Sequence, residues 1–238
     1  MFRARKEHVE CCKDGARGSI YPHEHKQKTG GCRHWRTVVG LAAGRPPSRR
    51  CPGQFRLSYA VCFGTLAQRH EVSAATIRRF LSLARPDCLK VFDVNLRQHF
   101  FSARLIEASL GQCDLLKISD EELPVVASLL KISGDERGIL LELLRRYNLR
   151  QVVLTKGKDG SLFCDGQTFL EIPAFTFGPT LDTVGCGDAF TATLTAGLLS
   201  GRAPEIAMRQ ASRVAGLVCA NSGAMPEIPE NFRFSSPP

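Results

Sequence analysis

The chain has 238 residues, 43% of them apolar, and a formal charge of +9; that apolar content supports a packed core and excludes a chain disordered throughout. No run of about 18 apolar residues occurs, so no membrane span is expected, and the polar, basic start from Arg3 onward lacks the apolar stretch of a secretory signal. Residues 1–56 hold 13 Lys/Arg against 4 Asp/Glu, and the rest of the chain holds 19 of each, which excludes a uniformly basic nucleic-acid binder.

In chain order, residues 1–56 show no period of 2 or 3.6. They carry four of the six histidines, Trp35 and the irregular stretch Arg45–Gly53. The texture changes near Leu57, and a domain is expected over 57–238. Tyr59–Gly64 reads as a buried strand and Val72–Ala84 as a helix. Leu89–Asn95 is a second strand, followed by a helix at Ala103–Leu110 and a third strand at Cys113–Ile118. Ser119 is expected to cap the next helix, with Asp120, Glu121 and Glu122 in its first turn, where carboxylates suit the helix dipole. Gly134–Tyr147 is another helix, and Gln151–Thr155 is a fourth strand. Ser161–Cys164 and Thr168–Ile172 form a hairpin around Asp165-Gly166. Helices at Gly187–Leu199 and Ala203–Ala220 close the domain. Strands alternating with helices predict an α/β fold with a parallel sheet covered on both faces. Ligands of such sheets bind at the carboxyl ends of the strands.

Ten cysteines are present. Cys11, Cys12, Cys32 and Cys51 lie in the basic segment. The other six are scattered singly through apolar stretches, as small hydrophobes are. With no export signal, reduced thiols and a cytoplasmic location are expected.

The strongest chemical signal is Asp182-Thr183-Val184-Gly185-Cys186-Gly187-Asp188. Two glycines around a small residue, just before a long apolar helix, present backbone N–H groups at a helix N-terminus, which is an anion site. A carboxylate there repels phosphate. Its sensible task is to take a proton from a hydroxyl, and an anion cradle beside a base suits phosphoryl transfer. The plain alternative is an Asp188 that caps the helix.

The segment resembles the C-terminal signature of the ribokinase-like (PfkB) carbohydrate kinases, Asp-Thr-x-Gly-Ala-Gly-Asp, with Cys186 in place of the Ala. The resemblance implies a three-layer αβα sandwich around a mostly parallel sheet. It implies transfer of the ATP γ-phosphate to a sugar hydroxyl with Mg²⁺. It makes Asp188 the base and Gly185, Cys186 and Gly187 the anion hole. Asp182 and Thr183 would shape a monovalent-cation loop, K⁺ in some members.

Other stretches resemble the same family in the same order. Asp93-Val94-Asn95-Leu96-Arg97 is similar to the Asp-x-Asn-x-Arg strand end of fructokinase-like members, which puts Asn95 and Arg97 at the substrate and phosphate cleft. An Arg at a strand's carboxyl end suits phosphate, though a surface ion pair is the ordinary alternative. Ser119-Asp120-Glu121-Glu122 stands where the family has Asn-x-x-Glu. Glu122 would hold Mg²⁺ through water, and Ser119 replaces the Asn; a simple helix-start residue is the alternative. Thr155-Lys156-Gly157-Lys158-Asp159-Gly160 resembles the nucleotide loop, which implies Thr155, Gly157 and Gly160 near the nucleotide. Ser212 and Gly223 correspond to the helix and Gly-Ala turn at the adenine pocket. The expected partners are a small sugar and ATP. Neither a membrane nor nucleic acid is expected, and a homodimer is compatible with an exposed sheet edge.

The family's usual beginning, a strand with a sugar-binding Asp, a Gly-Gly-x-x-x-Asn motif and a small β lid, has no counterpart in residues 1–56. The N-terminal strands and lid are therefore expected to be incomplete. Two readings of that segment are open. One is a zinc or nucleic-acid module using Cys11, Cys12, His23, His25, Cys32, His34 and Cys51. The favoured one is a disordered or mis-framed stretch, a GC-rich reading frame translated out of register. Fructose is the expected sugar, with a non-catalytic nucleotide-binding remnant as the rival reading.

Overall fold

The computed structural model of the protein describes residues 59–232. The readings placed on segment 1–56 lie outside the described residues. Six strands form one sheet in chain order: β1 (Ala60–Phe63), β2 (Leu89–Asp93), β3 (Leu115–Ser119), β4 (Gln151–Thr155), β5 (Ser161–Cys164) and β6 (Phe169–Ile172). Strands β1 to β4 pair in parallel, and β4, β5 and β6 pair antiparallel. The connections explain the change. Each link among the first four strands is long enough to hold a helix, as a parallel crossover requires, whereas the links on either side of β5 are short turns.

Six helices cover this sheet: α1 (Glu71–Leu83), α2 (Ala103–Leu110), α3 (Leu123–Leu130), α4 (Glu136–Tyr147), α5 (Cys186–Leu199) and α6 (Pro204–Cys219). Successive side chains of a strand point to opposite faces, and the two cores divide accordingly. Phe92, Leu116, Val152 and Leu162 pack with Leu81, Ile106, Val126 and Leu143 of α1 to α4. Their neighbours Val91, Leu115, Val153 and Phe163 pack with Phe190 and Leu194 of α5 and Met208 and Ala211 of α6. The result is the three-layer αβα sandwich. Each fully buried side chain of this kind stabilises the fold by about 1.5–3 kcal/mol relative to an exposed one. Among the described residues no helix is long and apolar enough to cross a membrane.

Local signals act as their chemistry requires. Ser102 caps α2 by accepting from the Leu105 N–H, and Asp135 caps α4 by accepting from the Gly138 N–H. In the hairpin, Asp165 accepts from the N–H groups of Gln167 and Thr168. One expectation shifts. Helix α3 begins at Leu123, not just after Ser119, because Ser119 is the last residue of β3 and Asp120 donates its N–H to the Thr155 carbonyl at 2.9 Å.

Candidate functional site

The strand ends of β2, β3 and β4 are stitched into one platform. After β2 the chain turns through Asn95, whose φ of 45° lies in the left-handed region that Asn tolerates better than most residues. The Thr65 hydroxyl holds that turn by donating to the Asn95 carbonyl at 3.1 Å. Glu122 joins it to β3. One carboxylate oxygen accepts from the Leu96 N–H at 2.8 Å, and the other accepts from the Ser119 N–H at 2.9 Å. The Ser119 hydroxyl accepts in return from the Glu122 N–H at 3.3 Å, the reciprocal exchange of a capping box. The bond from Asp120 to Thr155 adds the end of β4.

The phosphate-type turn arises on the other face of the sheet. Gly185 precedes α5 with φ 87°, and a Cβ there would sit 2.5 Å from the Ala224 carbonyl oxygen. No other residue fits so close an approach at that backbone angle. Helix α5 then starts at Cys186. The Cys186 N–H closes the turn onto the Thr183 carbonyl at 3.3 Å, while the N–H groups of Gly185 and Gly187 have no hydrogen-bond partner among the described residues. Two of the three expected anion-hole donors are thus open, and the third is engaged in a long bond. Asp188 lies half-buried in the first turn of α5.

Beneath this turn lies a polar network that reading the sequence did not single out. The Lys117 ammonium donates to Asp93 at 3.2 Å, and the Thr191 hydroxyl donates to the other Asp93 oxygen at 2.9 Å. All three are buried. Asp93 and Lys117 are register partners on neighbouring strands. A Cβ on Gly187 would lie 3.4 Å from the Lys117 Nζ, so the lysine charge reaches the base of the turn. Burial pushes the Asp93 carboxyl above the usual range even though Lys117 and Thr191 oppose it. Burial, with Asp93 and Asp188 adding to it, pushes the Cys62 thiol up to about 12. The available signal was Asp93 and Lys117, opposite charges each placed next to buried apolar residues of its strand, since buried charges require partners.

The remaining candidates divide. Gly223 donates its N–H to Asp182 at 3.2 Å, and the other Asp182 oxygen accepts from the Val184 N–H at 2.9 Å. This joins the segment after α6 to the phosphate-type turn. Ser212 is buried and donates to the Pro173 carbonyl at 3.1 Å, so it fastens α6 to the sheet. Gly160 is required by the fold, because a Cβ there would run into the Ile172 carbonyl. Gly157 is exposed, with φ 53°. Arg97 is exposed and donates to the neighbouring Leu96 carbonyl at 3.4 Å. No contact among the described residues brings Arg97 to the α5 turn.

Metal fit can be judged from the donors. No group of three or more His, Cys, Asp or Glu side chains suited to a metal occurs among the described residues. Each Glu122 oxygen keeps a second lone pair beyond its backbone bond. The side chain therefore fits a magnesium ion held mostly by phosphates and water, and does not fit an all-protein cage. Each Asp182 oxygen likewise accepts one backbone N–H, from Val184 and from Gly223.

The sequence model of the pfkB family carbohydrate kinases matches residues 64–231. The chain belongs to this family. A 2-dehydro-3-deoxygalactonokinase of Haloferax volcanii is 32% identical over 130 residues, covering 53% of this chain and 40% of the relative. A nucleoside kinase of Methanothermobacter thermautotrophicus is 30% identical over 139 residues, covering 58% of this chain and 42% of the relative. The crystal structure of a Xylella fastidiosa fructokinase with bound ATP superposes with a TM-score of 0.61 at 19% identity, over 70% of this chain and 57% of that one. The fold is therefore ribokinase-like. The chain spans about half the length of the relatives it matches.

Proposed function

We propose that the chain carries the ATP-binding and catalytic part of an ATP-dependent sugar kinase. One observation carries the reading: at the start of α5 a turn whose Gly185 and Gly187 N–H groups have no partner among the described residues is immediately followed by Asp188 and packed against Gly223 and Ala224. In this reading Asp188 takes the proton of the acceptor hydroxyl, and the hydroxyl oxygen then displaces ADP from the γ-phosphorus. The Gly185 and Gly187 N–H groups, with Cys186 between them, hold the transferring phosphoryl group, and the positive end of α5 and the buried Lys117 charge stabilise it. Asn95 and Arg97 serve the acceptor and phosphate side.

Thr155, Gly157, Gly160 and Gly223 frame the nucleotide side, and Ser212 fixes the helix behind it. Magnesium, when bound, neutralises the phosphates; Glu122 is the residue that would orient its water. No step is assigned to potassium. Among acceptors, fructose is favoured by the Asp93-Val94-Asn95-Leu96-Arg97 strand end. A cytoplasmic location is part of the same proposal, and so is the kinase domain over 57–238.

ADP release measured across a panel of sugars and nucleosides tests the reading. With the accepted substrate, Asp188→Asn lowers turnover by about 10³-fold, within the usual range for losing a general base. Unchanged turnover in the variant sinks the role of Asp188. ATP binding with no turnover on any acceptor points instead to the nucleotide-binding remnant.

A further inference from the structure

The sequence predicts reduced thiols, but the structure joins two cysteines that look unrelated in sequence. Cys186 and Cys219 form a disulfide with Cα atoms 5.9 Å apart, a separation that such a bond spans without backbone movement. Both residues are half-buried. The bond ties the first residue of α5 to the last residue of α6. The segments it fastens already touch. The Leu181 and Asp182 N–H groups both reach the Cys219 carbonyl, at 2.9 and 3.4 Å. Gly223 donates to Asp182, and Gly185 packs on Ala224. The phosphate-type turn and the chain after α6 are therefore one mechanical unit, with the sulfur bridge at its centre. The other described cysteines, Cys62, Cys88, Cys113 and Cys164, are unbridged, and burial raises all four thiols, which makes them poor competitors in exchange.

We propose that Cys186 and Cys219 form a reversible dithiol–disulfide site that exchanges with a small-molecule disulfide of the glutathione class and sets the affinity of the adjoining turn for nucleoside triphosphate. The second half of this statement rests on the kinase reading above. The two thiols are chemically unequal. Cys186 sits at a helix N-terminus, which favours its thiolate, and Cys219 sits at a helix C-terminus, which does not. The Cys186 thiolate attacks one sulfur of glutathione disulfide and expels a glutathione thiolate, leaving a mixed disulfide. The Cys219 thiolate then attacks the Cys186 sulfur and expels the second glutathione. Two electrons pass from the protein to glutathione, the two thiol protons end on two glutathione molecules, and one disulfide replaces another. The oxidised form leaves a neutral bridge at the anion-binding end of α5. The reduced form releases the clamp on the turn.

The test uses the whole chain in oxidised and reduced glutathione buffers, with the Cys186–Cys219 peptide read by mass spectrometry and ATP binding read by titration. The cross-linked peptide is expected in the oxidised buffer and lost on reduction. The oxidised chain is expected to bind ATP about five-fold more tightly than the reduced one, at the lower end of typical coupling between sites. Cys219→Ala is expected to bind ATP as the reduced chain does in reduced buffer, and in oxidised buffer to stop at the Cys186–glutathione mixed disulfide, read as a glutathione adduct on the Cys186 peptide. No cross-linked peptide at any glutathione ratio overturns the site. Equal ATP affinity in both states overturns the coupling alone. No ATP binding in either state overturns the coupling together with the kinase reading beneath it.

Discussion

The two faces of the sheet solve different problems with the same strands. The face under α1 to α4 is packed with apolar side chains such as Phe92, Leu116, Leu143 and Leu154. The face under α5 and α6 has a smaller apolar cluster, and beside it lies the buried set Asp93, Lys117 and Thr191, directly below the phosphate-type turn. Apolar packing requires only shape. A buried ion pair loses solvation that its mutual attraction does not always recover. A fold accepts that arrangement where it needs charge in a fixed place, and here the charge lies under the N-terminus of α5. The first face is apolar packing, and the second face carries the buried charge under the α5 turn.

The largest expected effect separates the faces through Lys117. Asp93→Ala removes its counter-charge and leaves a buried ammonium, which should lower the unfolding free energy by about 3–5 kcal/mol in a urea titration. A loss below about 1 kcal/mol, the range of exposed pairs, would break the comparison. Next comes the apolar face. Leu143→Ala opens a cavity under fully buried packing and should cost about 2–4 kcal/mol while leaving ATP affinity in the folded fraction unchanged. A drop in affinity there would mean that the faces are not independent.

The smallest effect is a pH slope. Burial pushes the Cys113 thiol up to about 12 from 9.0. The folded chain therefore holds that proton more tightly than the unfolded chain. The stability it confers is full below pH 9 and is lost as pH rises toward 12. Comparing wild type with Cys113→Ala between pH 9 and 10 should show an excess decline of about 1 kcal/mol in the wild type. Parallel curves would deny the shift.

Much of this architecture was legible in residue patterns. Strand and helix periods located each strand and α-helix of the described residues within a few residues, because two-sided burial makes β2, β3 and β4 apolar runs and amphipathic faces mark α1 and α4; the short 3-10 turns were not read. The start of α3 was misjudged, since Ser119 and Glu122 do form a capping exchange but use it to close the strand end. Local motifs placed the start of α5 at Gly187, one residue late, since the helix begins at Cys186 with Gly185 as its N-cap. What the sequence could not supply were relations across strands and helices. The pairing of Asp93 with Lys117 depends on the register of β2 against β3. The bridge between Cys186 and Cys219 depends on how α5 meets α6. For Gly160 and Ser212, the structure gives packing reasons that a motif cannot distinguish from binding.

The central claim is that the strand ends and the α5 turn form a nucleotide site that is separate from the proton-accepting role of Asp188. Titrating ATP with magnesium into the wild-type chain and into Asp188→Asn measures it directly. The account predicts one-to-one binding in both, with the variant equal or tighter because a negative charge near the phosphates is gone. No binding by the wild type, or a variant weaker by about tenfold (1.4 kcal/mol) or more, would contradict it.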